Sequence, residues 1–455
     1  MNTCMRALVL FLAVECTAAN KTAAWLDARA DLIDAVYGKG RGVLPTRSIP
    51  DRVEAWPEDR DPRSKGLRGL VWNMSTLFEI TSTVFYSPLS GDPTKRSSKA
   101  FLFHHGHSNC VCPGSGTLAV RCQPGCNSSM PTLREPVEQY TWWDLYNVSL
   151  FFHSLGYDVF ILSMPLKGVN IGPGSNETFV NSDHWWFLQW EEKGDAALRY
   201  FLEPAYLTVN YAVANGYTEI NMAGLSGGGW STTFASAIDR RITSSFPIAG
   251  SVPCAMRNPL APIPGQLWSG NDAEDFEQSC RPTTPVLHPT GRNDRAGRAA
   301  FGVCNYTCQY LLAGLEPHRY QVQILHEYDS CCFSPHNRHS QMLAYELNVR
   351  AELGADERAG GKHGWFTVTA TNHSKHEVAA QGKTIIAAAL HAHPTPGAAG
   401  WEQLPCDVMH QRLPANCAPN VDPGLPTPYV PMCGDSVCTC TQPPAFPCMN
   451  LTTRS

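Results

Sequence analysis

The sequence predicts an α/β protein in which a mostly parallel sheet is covered by helices on both faces. Two observations carry this. From about residue 99 to residue 393, segments of strand character alternate with segments of helical spacing. One of the strands contains the unbroken apolar run Val159-Phe160-Ile161-Leu162, as expected where both faces of a strand are buried.

The elements follow in order. Thr22 to Tyr37 carries apolar residues at helical spacing and stops at Gly38, and the Pro- and charge-rich stretch Pro45 to Lys65 reads as an exposed linker. Thr76 to Tyr86 has strand character, and Ala100-Phe101-Leu102-Phe103 is a strand ending at His104-His105-Gly106-His107. A helix over Trp143 to Leu155 closes at Gly156, and the strand Tyr157 to Ser163 is stopped by Pro165. Beyond an aromatic loop with His184, Trp185, Trp186 and Trp190, a long helix spans about Gly194 to Asn215. The remaining order is strand Thr218–Ala223, helix Trp230–Arg241, strand Ser245–Ala249, strand Tyr320–His326, helix Gln341–Leu353, strand Trp365–Ala370 and helix Val378–Ala392. Two segments interrupt the alternation: residues 257–315, Pro-, Gly- and polar-rich and read as a cap-like insertion, and residues 396–455, a Cys- and Pro-rich tail.

The chemistry concentrates where strand Thr218–Ala223 ends. Gly224-Leu225-Ser226-Gly227-Gly228 is a G-x-S-x-G pentapeptide between a strand and a helix, the context that forces a serine into a sharp, exposed turn. A free serine is a poor nucleophile and needs a base oriented by a carboxylate. In strand–turn–helix proteins with this pentapeptide the chain order is serine, acid, histidine. Asp329 follows the strand Tyr320–His326 and is the favoured acid, with Glu327 as its alternative. His376, directly before the last helix, is the favoured base over His373. A developing oxyanion needs two fixed amides, one from Gly227 and one from Gly106 or His107. Metal binding by His104, His105 and His107 is the competing reading; no carboxylate completes the set and adjacent strand residues point to opposite faces. No metal and no cofactor is expected.

On these residues the segment from about Lys99 to His393 resembles the α/β-hydrolase superfamily: strand, HG loop, helix, strand, elbow, acid and histidine arrive in the family's order. The resemblance implies an eight-stranded, mostly parallel sheet and a Ser226, His376, Asp329 triad acting through an acyl-enzyme. It implies a serine esterase or lipase, with a peptidase of the same fold or an inactive binding or adhesion protein as alternatives, and a small-molecule or lipid ester as partner. Lids in this fold often follow the strand that Ser245–Ala249 forms, so the insertion is a candidate lid, with Trp185, Trp186 and Trp268 as apolar walls. The twin cysteines Cys331-Cys332 depart from the family's pattern, and pairing with Cys304 or Cys308 would rigidify the acid loop.

Composition bounds the rest. Net charge is −5 and no basic run is present, which argues against a nucleic-acid partner. Residues 1–19 read as a signal peptide, with Arg6 before the apolar run Ala7 to Val14 and small residues at Thr17-Ala18-Ala19; that run is too short to span a bilayer, and no later anchor is evident. Eight Asn-X-Ser/Thr triplets begin at Asn20, Asn73, Asn127, Asn147, Asn176, Asn305, Asn372 and Asn450. The 18 cysteines include Cys4 and Cys16 in the leader, and the even remainder reads as a disulfide framework. Domains are therefore expected as a leader over 1–19, a helix, linker and edge strands over 20–98, a catalytic domain over 99–395 with its insertion at 257–315, and the tail over 396–455, whose partner is unknown. The expected location is extracellular.

Overall fold

A computed structural model describes residues 24–37, 42, 44–55, 66–75, 80–106, 142–165, 170, 198–253, 300, 303–329, 333–336, 339–354 and 364–392. The signal-like leader, the insertion as far as residue 299, His107, Trp185, Trp186, Trp268, Cys331, Cys332 and the tail lie outside these residues.

The strands are β1 (Arg52–Ala55), β2 (Arg68–Ser75), β3 (Ile80–Ser87), β4 (Lys99–His104), β5 (Asp158–Leu162), β6 (Glu219–Leu225), β7 (Ser244–Ile248), β8 (Tyr320–His326) and β9 (Trp365–Thr371). The helices are α1 (24–37), α2 (Trp142–Ser154), α3 (Leu198–Ala214), α4 (Gly227–Ile238), α5 (Tyr306–Ala313), α6 (His339–Gly354) and α7 (Ala380–Ala392). They form a nine-stranded sheet in the order β1-β2-β3-β5-β4-β6-β7-β8-β9. From β5 to β9 in that order every pairing is parallel, and β1, β2 and β3 are joined to it antiparallel. The sheet has one strand more than the eight expected. Arg52–Ala55, inside the stretch read as linker, adds to the edge because its backbone pairs with β2 although its alternating exposure carries little apolar signal.

Parallel strands need crossovers, and the crossovers cover both faces. On one face Phe101 stacks on Phe152 of α2 at 3.6 Å, and Tyr320 Oη donates to the Ala389 carbonyl of α7 (3.2 Å). On the other, Trp230 of α4 is fully buried against Phe201 of α3, and Tyr310 of α5 stacks on Phe366 of β9 at 5.0 Å. Here α1 docks through the buried Arg29, which donates to the carbonyls of Ala237 and Leu312 and pairs with Glu316.

Two elements differ from the sequence reading. Helix α4 begins at Gly227, not Trp230, because the glycines read as turn are the first helical turn. Helix α5 lies within residues 257–315 yet belongs to the core: Tyr306, Tyr310, Leu311 and Leu312 are buried. Its polar start is a cap, where Asn305 Oδ1 accepts from the Cys308 amide (3.1 Å). Cys304 and Cys308 are bridged across that first turn, with Cα atoms 5.2 Å apart. Neither is therefore open to Cys331 or Cys332, which corrects the pairing expected above; a four-residue separation at a helix start brings the two thiols together locally.

Candidate active site

Because β4 to β9 run parallel, their C-terminal ends share one edge of the sheet, and every described candidate residue follows one of those ends. Ser226 follows β6, Gly106 follows β4, Asp329 follows β8 and His376 follows β9. A single sheet edge gathers residues spread over 270 positions of chain.

The turn at Ser226 is built from backbone contacts. Its amide still donates to Ile248 of β7 (2.9 Å), and its carbonyl already accepts from Trp230 in α4 (3.0 Å). One residue must then reverse the chain, and Ser226 does so at φ 58, ψ −129. That is a left-handed φ for a residue with a Cβ, a conformation costing on the order of 1–3 kcal/mol that neighbours must hold in place. The neighbours are glycines for a steric reason. A Cβ on Gly228 would fall on the His104 carbonyl, and a Cβ on Gly224 would fall on the Gly228 carbonyl. The strand ends and the helix start thus touch backbone to backbone. Gly228→Ala is expected to destabilise the fold by about 1–3 kcal/mol, since only backbone can move to admit the methyl; urea denaturation of the purified variant measures it.

Gly106 seats the other wall. Its φ of 76 turns the chain away after β4, and an added Cβ would lie 2.5 Å from the Leu225 carbonyl and 3.3 Å from Ser226 Cβ. The histidines beside it have protein partners. His105 Nε2 lies 2.7 Å from Ser163 Oγ, and His104 Nδ1 accepts from the Gly106 amide (3.2 Å). The Gly106 N–H is therefore turned toward His104 in this structure. The amides of Gly227 to Gly229, in the first turn of α4, have no partner within the helix and carry its positive dipole end. Among the described residues no group of three or more His, Cys, Asp or Glu is arranged to hold a metal ion.

The two histidine candidates separate by geometry. His376 Nδ1 lies 3.0 Å from both carboxylate oxygens of Asp329, and its Nε2 is buried with no protein partner. The Asp329 side chain is 0% exposed and that of His376 16%, so water competes little for the pair. His373 has other neighbours: its Nε2, also buried and without a hydrogen-bond partner, lies 3.0 Å from Glu377 Oε1, its ring packs edge-on against His326 at 5.3 Å, and its carbonyl accepts from the Tyr328 amide. The carboxylate candidates separate likewise. Glu327 is buried and accepts from His336 Nδ1 (2.9 Å) and His339 Nε2 (2.8 Å), which fastens the acid-bearing loop to the start of α6.

A further histidine, fully buried, had no signal in the sequence. His326, the last residue of β8, is 0% exposed, with Nδ1 2.7 Å from Thr371 Oγ1 and Nε2 2.7 Å from the Glu377 carbonyl. Burial lowers its pKa from 6.5 to about 4, against the opposing pull of the Asp329 charge. The depressed value gives a sign. Above pH 6.5 the ring is neutral folded and unfolded; as pH falls toward 4 the unfolded chain takes a proton that the folded ring refuses, and stability drops. By pH 4.5 this amounts to on the order of 2–3 kcal/mol. His326→Gln should lack that component, so denaturant unfolding at pH 7 and pH 4.5 should show a smaller acid loss in the variant; an equal loss would refute the buried neutral histidine.

Strand order, the elbow at Ser226, and a carboxylate and histidine after the next strands decide the architecture. The chain has the α/β-hydrolase fold. It matches no protein-family model and no curated protein sequence. Among solved structures the chain is similar to Est1E from Butyrivibrio proteoclasticus, at 13% identity over 69% of this chain and 92% of that chain, with a TM-score of 0.33. It is similar to an acetyl xylan esterase from Paenibacillus sp. R4, at 10% identity over 82% and 94% of the two chains, TM-score 0.42. A third likeness is to Pyrococcus horikoshii acylaminoacyl peptidase, at 11% identity over 72% of this chain and 41% of that chain, TM-score 0.39. The fold rests on the strand order and the elbow, and no residue of the site is assigned from these likenesses.

Proposed function

We propose that this α/β-hydrolase is a secreted serine hydrolase that cleaves carboxylic esters through an acyl-enzyme. The observation that carries the reading is His376, held through Nδ1 by both oxygens of the buried Asp329 while its Nε2 atom is left without a protein partner. Since a carboxylate only accepts, Nδ1 bears the hydrogen and Nε2 presents its lone pair, the form a general base requires. Ser226, half-buried in its strained turn at the same sheet edge, is the nucleophile that base serves.

In this mechanism Ser226 Oγ adds to the ester carbonyl as His376 Nε2 takes its proton, and Asp329 stabilises the imidazolium. The Gly227 amide, with an amide of the Gly106–His107 turn, holds the oxyanion; for Gly106 this means exchanging His104 for the substrate oxygen. Collapse expels the alcohol, which receives the proton from His376. Water activated by the same nitrogen then releases the acid and Ser226. Secretion is supported by the leader-like residues 1–19 and by the closed Cys304–Cys308 bridge, which suits an oxidising compartment. No helix among the described residues is long and apolar enough to cross a membrane.

The test is labelling of the purified chain with a small fluorophosphonate, followed by p-nitrophenyl esters of increasing acyl length. One label at Ser226 and turnover of at least one ester is the expected result. An unlabelled, folded protein would remove the reading.

A further inference from the structure

The loop that carries His376 leaves β9 at Thr371 and reaches Glu377, and both of its ends meet one side chain from the neighbouring strand. His326 Nδ1 lies 2.7 Å from Thr371 Oγ1 and His326 Nε2 lies 2.7 Å from the Glu377 carbonyl. A carbonyl can only accept, so Nε2 bears the hydrogen; in the neutral ring Nδ1 then accepts from the Thr371 hydroxyl at 2.7 Å, in preference to the longer 3.3 Å approach of that hydroxyl to the Leu325 carbonyl. We propose that His326 is a positioning residue for His376, a clasp across the base of its loop that keeps Nδ1 on Asp329 and leaves Nε2 without a protein partner. The inference rests on the reading of His376 as the base, and His326 itself touches no reacting atom.

The register explains why this residue holds the loop. His326 and Thr371 are paired partners at the last position of the β8–β9 ladder, the two residues from which the acid loop and the histidine loop depart. Backbone bonds already join the loops nearby, from the Glu327 amide to the Thr371 carbonyl (2.9 Å) and from the Tyr328 amide to the His373 carbonyl (3.0 Å). These fix the loop's beginning. The contact to Glu377 is different, because it holds the residue directly after His376 and so sets the direction in which that side chain leaves the chain. Without it the loop keeps its contacts at Thr371, His373 and Asp329, and the next hydrogen bond from a β8 side chain to the chain beyond His376 is at Ala389 in α7. The ring itself is fully buried, so its removal takes away a donor and an acceptor from the interior of the loop's base. The ring also stays uncharged at neutral pH, since burial lowers its pKa. A cation there would lie beside His373 and His376 and oppose protonation of the base in the transition state. The site thus calls for a neutral donor and acceptor in one rigid ring, which an aliphatic residue of similar volume cannot supply.

The full-length chain with His326→Leu and with His326→Gln tests this through two readouts. The first is independent of activity: the low-field imidazole N–H proton of the His376–Asp329 bond, assigned by its loss in His376→Ala. The second is kcat and KM for a p-nitrophenyl ester, with the rate of Ser226 labelling by fluorophosphonate. His326→Leu should broaden or erase the resonance and lower kcat by about 10- to 100-fold with KM within about twofold, the scale of a misplaced catalytic group. His326→Gln, whose amide carries a donor and an acceptor, should restore the resonance and bring kcat to within several-fold of the parent. A folded Leu variant with the resonance and kcat of the parent overturns the proposal, and so does a folded Gln variant no better than Leu. If the Leu variant does not fold, Thr371→Val removes one half of the clasp with little change of shape; a shifted resonance with kcat reduced several-fold is then expected, and no change in either overturns it. A parent protein that no fluorophosphonate labels would remove the hydrolase reading, while the resonance would still decide the clasp.

Discussion

Ser226→Ala is expected to lower ester turnover by about 10^3-fold or more while leaving a folded protein. The size follows from removing the only atom that can form the acyl-enzyme, so that residual rate comes from water attacking a substrate held by the oxyanion donors alone. The stability side follows from the turn itself. Ser226 is half-buried at the sheet edge, and no side-chain hydrogen bond from it caps α4. Its strained φ of 58 is as accessible to alanine as to serine, so the substitution removes a hydroxyl and little else. Turnover is measured on the purified variant beside its thermal unfolding midpoint. Parent-like turnover in a folded Ser226→Ala protein would falsify the mechanism.

The second large effect separates the two histidines. His376→Ala should be nearly as damaging as the serine change, because nucleophile and base act as a unit and the loss of one idles the other. His373→Ala should cost little, within several-fold in kcat. Its ring meets Glu377 at 3.0 Å on a partly exposed surface, a contact worth about 1 kcal/mol or less. The decisive comparison is the pH profile of kcat/KM, whose acid limb reports the free enzyme's base. That limb should survive in His373→Ala and have nothing to report in His376→Ala. A crippled His373→Ala with an active His376→Ala would move the base to the other histidine and leave the fold untouched.

The order of elements was legible in the sequence because parallel strands buried on both faces are written as apolar runs, and because glycines and prolines mark where each run ends. Val159 to Leu162 is such a run, and β5 occupies Asp158–Leu162. The pentapeptide at Gly224–Gly228 was legible for a related reason: where strand end and helix start touch backbone to backbone, side chains must be absent. Less could be read where an element owes its place to pairing rather than to composition. The four residues of β1 are mostly polar, and only the exposed edge of β2 makes them a strand. Helix α5 was hidden by its polar neighbours, yet its four large buried residues are core.

Within the site, sequence order alone narrowed the acid to Asp329 or Glu327 and the base to His376 or His373. It favoured Asp329 and His376 by their places after the strand and before the helix, but each pair lies a few residues apart on one loop, and the direction of each side chain is not written there. Tertiary packing sets those directions. Glu327 is turned under the loop onto His336 and His339, His373 lies between Glu377 and the ring of His326, and the Asp329 carboxylate and His376 imidazole face each other at 3.0 Å. His326 shows the same division. In the sequence it is one more residue at the end of a strand. Its two hydrogen bonds reach residues 45 and 51 positions away, and only the parallel register of β8 with β9 brings those partners within reach.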